Sequence, residues 1–146
     1  VIPATSSEDA IAEADVVLTM TTAKEPVFDG KQLKDGATVV AAGSNLLQKR
    51  EVDSMVIRRA SRIIVEAIDQ SELEAGDLFV PIDTGHLHWN QVHELSEVVL
   101  GSYPGRESDS EINLSNSVGL GLQDMALAAV VYDAAVAAGA GMEVDI

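Results

Sequence analysis

Reactive chemistry has few places to reside in this chain. There is no cysteine among its 146 residues, which excludes thiolate nucleophiles, disulfides and cysteine-based zinc sites. The three histidines fall in one stretch, as His86-x-His88 and His93-Glu94. Zinc needs three or four ligands at constrained spacing. No well-spaced third ligand accompanies this pair, and its segment reads as loop, so no metal is expected. Asp109, Glu111 and Asp124 read as surface or capping acids, because nothing fixes them across a cleft as an acid–base pair. Gly119-Leu120-Gly121 follows a possible strand but lacks the third glycine of G-x-G-x-x-G. It reads as close packing at a helix start rather than as a phosphate loop.

The composition narrows the partners. Hydrophobic residues make up 47% of the chain and aromatics only 3%, so a core must be built from Val, Ile, Leu and Ala. Buried parallel strands covered by helices use that palette, which points to the α/β class. With 24 acidic residues against 9 basic, the formal charge is -15. That balance repels phosphate backbones and argues against nucleic acid. The lack of cysteine fits a cytoplasmic address. No apolar run reads as long enough to span a membrane, so no membrane partner is expected.

Three runs read as strands: Asp15 to Met20, Ala37 to Ala42 and Arg62 to Ile68. Each is nearly continuous in apolar residues, as a strand covered on both faces should be. Their spacing leaves room for crossovers between parallel neighbours. Ser6 with Glu8 and Asp9 opens a helix through Ala14, and Asp53 caps a helix over Ser54 to Ala60. Ser71 and Glu74 have the capping-box spacing before a short helix that stops near Gly76. Leu78 to Gln91 is the least patterned part and reads as loop, with Pro81, Asp83, Thr84 and Gly85. Glu94 to Leu100 is expected helical with a stop at Gly101, and Ile112 to Leu114 could be a short strand. A long helix runs from about Gly119 to Ala138. It is apolar almost all round and needs something to bury it on several sides.

One βαβαβ unit is therefore present, without a glycine-rich phosphate turn. A dinucleotide-binding sheet has two such halves, with that turn in the first. The expected architecture is the second half of a Rossmann-type parallel sheet, with flanking helices and a long C-terminal helix. The first strand would then present an unpaired apolar edge. The start, Val1-Ile2-Pro3-Ala4, has no initiator Met and fits a cut terminus. The expected division is a partial dinucleotide domain over 1–118 and a helix and tail over 119–146.

Seven motifs then line up in order. Thr19-Met20-Thr21-Thr22-Ala23-Lys24-Glu25-Pro26 follows the first strand, and Ala42-Gly43-Ser44-Asn45 ends the second. Lys49-Arg50-Glu51-Val52-Asp53 opens the next helix. Glu72 to Leu78, Glu94 to Gly101, Pro104-Gly105-Arg106 and Ser117 to Asp124 complete the set. In order and spacing these resemble the carboxy-terminal half of the ornithine cyclodeaminase/mu-crystallin family, over nearly the whole chain.

The resemblance implies an NAD(P)-binding Rossmann domain joined to a dimerising substrate domain, and a homodimer formed through an amino-terminal half. It implies hydride exchange between nicotinamide, as NAD or NADP, and an amino or imino acid. It places Thr21 beside the cofactor at a strand end. Gly43 and Ser44 match the backbone stretch that passes close to the nicotinamide side, and Lys49 matches a cofactor-contacting lysine of some members. Ser117 and Val118 match the pair beside the nicotinamide amide and the substrate. Asn45 is a departure: the cyclodeaminase and the alanine dehydrogenase of the family carry an aspartate there that handles protons. An amide cannot serve as a general base at ordinary pH, although Asn45 could still orient a substrate amine or water. Leu47-Gln48 replaces a usual Pro-Gly, and Ser115-Asn116 replaces a bulky aromatic and a charged residue.

The expected function is thus part of an NAD(P)-dependent oxidoreductase of the alanine dehydrogenase or ketimine reductase kind, inactive in isolation. An ornithine cyclodeaminase-type ammonia lyase and a non-catalytic, NAD(P)H-binding mu-crystallin-like protein are the alternatives.

Overall fold

The β-branched runs become the strands of one parallel sheet in the computed structural model, which describes residues 1–142 and 144. Strands β1 (Val16–Thr19), β2 (Thr38–Ala41), β3 (Ala60–Val65), β4 (Val92–Glu94) and β5 (Ile112–Asn116) stand in the order β1-β2-β5-β3-β4. Every pairing is parallel. The sheet is the α/β, Rossmann-type arrangement expected, with two differences. Ile112–Asn116 inserts between β2 and β3, so those two strands do not touch. Val92–Glu94, unmarked in the sequence, adds an edge strand beside β3. The third strand is shifted as well: β3 begins two residues before Arg62 and ends at Val65 rather than Ile68.

One face of the sheet is fully covered. Val17, Val39, Ala41, Ile63, Val65, Val92, Ile112 and Leu114 are all buried there. Helices α1 (Ser7–Ile11), α2 (Ser54–Arg59) and α4 (Gly76–Asp83) contribute Ile11, Val56, Ile57 and Leu78 to the core, and α3 (Ile68–Glu74) packs the partly buried Ile68 against it. Ser6 caps α1, accepting from the Asp9 N–H at 3.1 Å, but the helix ends at Ile11 rather than Ala14. Asp53 caps α2 as its position predicts, accepting from Met55 and Val56 at 2.9 and 3.0 Å.

Two local expectations fail, for identifiable reasons. Ser71 does not cap a helix; it lies inside α3, where its hydroxyl donates back to the Ala67 carbonyl at 2.7 Å. The helix starting near Gly76 is α4, within the segment that reads as loop. Pro81 sits inside it, where proline ordinarily ends a helix. The start of α4 is fixed by close packing: a Cβ on Gly76 would lie 1.9 Å from the Lys49 carbonyl oxygen. Helix α5 (Leu95–Val99) stops near Gly101, at φ +76°, as expected.

Glu111 is not a free surface acid. It pairs with the buried Arg62 guanidinium at 2.6 Å, and Arg62 Nε donates to Pro104 O at 3.0 Å. This pins the segment that leads into β5. The hydrogen bond from the Glu107 N–H, followed by the one from Arg62, holds the Glu111 carboxyl below the usual carboxylate range.

Among the described residues β1 pairs on one side only, with Val16 and Leu18 about 60% exposed (61% and 59%). Helix α6 (Gly121–Ala138) has no buried residue. Its Leu122, Met125, Leu127, Val130, Val131 and Val136 all face outward. Contrary to the reading above, α6 is by length and composition alone apolar enough to cross a membrane.

Candidate functional site

In a parallel sheet every strand ends on the same side, and here the ends align in one row. The register places Thr19, Ala41, Asn116, Val65 and Glu94 side by side from β1 to β4. The next residues of each strand emerge as loops over that edge, which in open α/β sheets is where ligands bind. Thr21, Gly43, Ser44, Asn45, Ser117 and Val118 all lie within four residues of that row. The fold thus brings the expected residues to a single edge.

Beneath the loops sits a carboxylate that sequence reasoning missed. Glu51 is fully buried, between the β2 loop and α2. One oxygen, Oε2, accepts from the Thr19 hydroxyl at 2.9 Å and from the Gly43 N–H at 2.7 Å. The other, Oε1, accepts the Thr21 N–H at 2.5 Å. Burial alone raises its pKa. The hydrogen bonds from Thr21, Gly43 and Thr19 outweigh that, and the carboxyl is held below its ordinary value. Its donors come from both β1 and β2, so one side chain fastens two loops.

Gly43 is required by that fastening. A Cβ there would lie 2.2 Å from the Thr21 nitrogen, 2.4 Å from the Thr21 oxygen and 2.5 Å from Glu51 Oε1. The close approach at Gly43 is therefore made by the neighbouring loop. Ser44 is buried, and its hydroxyl donates to the Lys49 carbonyl at 2.7 Å, closing the turn that follows. Asn45, at the tip of the turn, is exposed; Lys49 is half-buried. Thr21 Oγ1 accepts from the Ala23 N–H at 3.1 Å, and the Thr21 hydroxyl joins its own N–H in holding the Glu51 carboxyl below its ordinary value.

A second buried carboxylate supports the first. Asp77, in the first turn of α4, accepts the N–H groups of Glu51 and Val52 through Oδ1, at 2.5 and 2.9 Å. Its Oδ2 accepts from Asn116 Nδ2 at 3.1 Å. Burial pushes the Asp77 carboxyl up, and the nearby Glu51 charge adds to the shift, against the hydrogen bonds from Val52 and Glu51. Asn116 Oδ1 is buried with no partner. Asn116 stands where the family resemblance leads one to expect a charged residue, and here its amide completes the network under the site.

The third strand end contributes Glu66. Its Oε1 accepts the Ser117 hydroxyl at 2.6 Å, and its Oε2 accepts the Gly119 N–H at 2.9 Å. Gln70 Nε2 donates to the Gly119 carbonyl at 3.0 Å, so both polar groups of that glycine, at φ +84°, are held. Ser117 also continues the ladder, its N–H donating to Ala41 O at 2.8 Å. Val118 packs against the core. Glu51, Asp77, Asn116 and Glu66 carry no sequence signal as site residues. Isolated acids near helix starts look like ordinary caps, and only the fold aims them at loops 8 to 53 residues away.

This edge carries the hydroxyls of Thr21 and Ser117, the partly buried Val118 side chain and the carboxylates of Glu66 and Glu94. No histidine reaches it, and no group of three His, Asp or Glu side chains able to hold a metal occurs among the described residues.

Comparison with known proteins agrees with the geometry. The ornithine cyclodeaminase/mu-crystallin family matches residues 1–139. A Delta(1)-pyrroline-2-carboxylate reductase of Bacillus cereus is 39% identical over 142 residues, covering 97% of this chain and 43% of that protein. The structure of the Thermococcus litoralis Delta(1)-pyrroline-2-carboxylate reductase, in complex with NADH and L-proline, superposes with a TM-score of 0.86. It is 31% identical over 95% of this chain and 43% of its own. An archaeal alanine dehydrogenase dimer with bound NAD gives a TM-score of 0.83 and 31% identity, over 96% of this chain and 43% of its own. The chain thus spans less than half the length of these relatives. It belongs to the ornithine cyclodeaminase/mu-crystallin family.

Proposed function

We propose that this chain forms the nicotinamide side of the cofactor cleft in an NAD(P)-dependent oxidoreductase acting on a small imino or amino acid. The observation that carries the reading is the gathering of Thr21, Gly43, Ser44, Ser117 and Val118 at one edge of a parallel sheet. Relatives of the same family with that fold hold NADH or NAD.

The dinucleotide, when bound, supplies hydride chemistry at the substrate carbon. The chain's own residues bind and orient. Thr21 lines the cleft at the end of β1, Ser117 offers a hydroxyl oxygen, and the partly buried Val118 adds an apolar surface beside it. Lys49 and Asn45 lie on the adjoining turn, where Lys49 meets the cofactor and Asn45 orients a substrate amine or water. Asn45 has no proton-accepting capacity, so the favoured chemistry is reduction of an imine or oxidation of an amine rather than elimination of ammonia. Helix α6, apolar almost all round, supports an arrangement in which it packs against a further domain, and the dimer of the related alanine dehydrogenase supports a homodimer.

The test uses the full-length protein carrying this chain. It should oxidise NADH or NADPH with Delta(1)-pyrroline-2-carboxylate, or with pyruvate plus ammonia, as read by loss of dihydronicotinamide absorbance. Absence of both cofactor binding and turnover across a panel of imino acids refutes the proposal.

A further inference from the structure

Ser117 donates its only hydroxyl proton to Glu66, over 2.6 Å, within the range of a charge-assisted O–H···O⁻ bond. Glu66 cannot turn away, because its other oxygen is held by the Gly119 N–H at 2.9 Å. A carboxylate is acceptor-only, so the proton must lie on the Glu66 side. No other hydrogen bond to Ser117 Oγ occurs among the described residues. What Ser117 presents to the open edge is therefore oxygen lone pairs alone.

We infer that Glu66 is a positioning residue that fixes Ser117 as a hydrogen-bond acceptor for the carboxamide N–H of a bound nicotinamide, and thereby sets which way round the carboxamide sits. This rests on the cofactor reading given above. Its consequence is selectivity for a ring substituent that carries an N–H. A methyl ketone in place of the carboxamide has no proton to offer, and leaves the Ser117 lone pairs without a partner.

The probes are NADH and reduced 3-acetylpyridine adenine dinucleotide, in which methyl replaces the amide nitrogen. Both are titrated by fluorescence into the full-length protein. The unaltered protein is expected to prefer NADH by about tenfold, the order of one hydrogen bond whose loss leaves a group unsatisfied. Ser117→Ala removes the acceptor and should bring the ratio near one. Glu66→Gln keeps both contacts, accepting from Gly119 and offering an N–H to Ser117, but it frees the Ser117 proton to face the ring. The ratio should then fall to one or invert, with the thermal midpoint little changed.

A purely structural role predicts the opposite, because glutamine preserves the clamp and should preserve the ratio. An unchanged ratio in Glu66→Gln overturns the inference while leaving the cofactor reading intact. If Glu66→Gln fails to fold, an unchanged ratio in Ser117→Ala overturns it equally. Failure of the unaltered protein to bind either dinucleotide refutes the cofactor reading itself, and this inference with it.

Discussion

The carboxylate of Glu51 bridges Thr21 and Gly43, taking the N–H of one on Oε1 and of the other on Oε2. These residues begin the loops after two neighbouring strands, so the spacing of the loops is set by a side chain that never reaches the surface. Glu51→Gln offers one acceptor and one donor where the fold supplies donors to both oxygens. A buried donor left unsatisfied costs about 1–3 kcal/mol, and that loss is expected in denaturant unfolding of the full-length protein. Dinucleotide affinity should fall as well, because the loops lose their common anchor. Unchanged stability would contradict the bridge.

The same pair of buried acids gives opposite pH signatures. Glu51 has a folded pKa below its ordinary value of 4.5, held there by the hydrogen bonds from Thr21, Gly43 and Thr19. Its stabilisation is therefore complete above about pH 4.5 and is lost as pH falls through the lower folded value. The stability gap between the unaltered protein and Glu51→Gln should close as the medium is acidified through that window. Burial holds the Asp77 pKa in the folded state above its ordinary value of 3.8. The folded state then holds the extra proton, and stability falls as pH rises from 3.8 through the folded value. Asp77→Asn should gain on the unaltered protein across that rise. Asn116 can turn its unpartnered Oδ1 toward the new amide. Unfolding curves at a series of pH values check both signs.

Gly43→Ala should be far more damaging than an ordinary loop substitution. The added carbon meets backbone atoms of Thr21 at 2.2 and 2.4 Å, not a flexible side-chain end. Separating the loops breaks the Gly43 to Glu51 bond as well. A loss of several kcal/mol, of the order seen for overpacking plus a buried unmade hydrogen bond, is about 2–5 kcal/mol. Gly105→Ala, whose Cβ would find only Val98 at 3.6 Å, serves as the control and should be nearly neutral.

Asn45 is the position at which the chemistry can be switched. If the absence of a carboxylate there is what disfavours ammonia elimination, Asn45→Asp supplies the missing base. General-base catalysis is worth about 10²–10⁴-fold. Ammonia release from ornithine by the full-length variant should rise by about two orders of magnitude over the unaltered protein. No increase would mean that Asn45 does not control the outcome.

The sequence made the parallel sheet legible because buried strands need unbroken β-branched runs, and Val16–Thr19, Thr38–Ala41 and Ala60–Val65 supply them. Strand β4 is three residues long and contains His93 and Glu94, too short and too polar to show a period. Helix α4 was hidden by Pro81, which local propensity reads as a stop although tertiary packing at Gly76 overrides it. The loop residues of the site were visible through family resemblance. Their supports, Glu51, Asp77 and Glu66, were not, because hydrogen bonds between residues 8 to 53 apart in the chain leave no local pattern. The exposed length of α6 follows from its even spread of apolar residues, and that much was legible from composition.

The most direct test of the account is isotope transfer. The full-length protein is incubated with dihydronicotinamide dinucleotide deuterated at both hydrogens of ring C4 and with Delta(1)-pyrroline-2-carboxylate, and the product is weighed by mass spectrometry. The account predicts proline carrying a single deuterium at Cα. Proline without deuterium, or no proline with either C4-dideuterated NADH or C4-dideuterated NADPH, would contradict it.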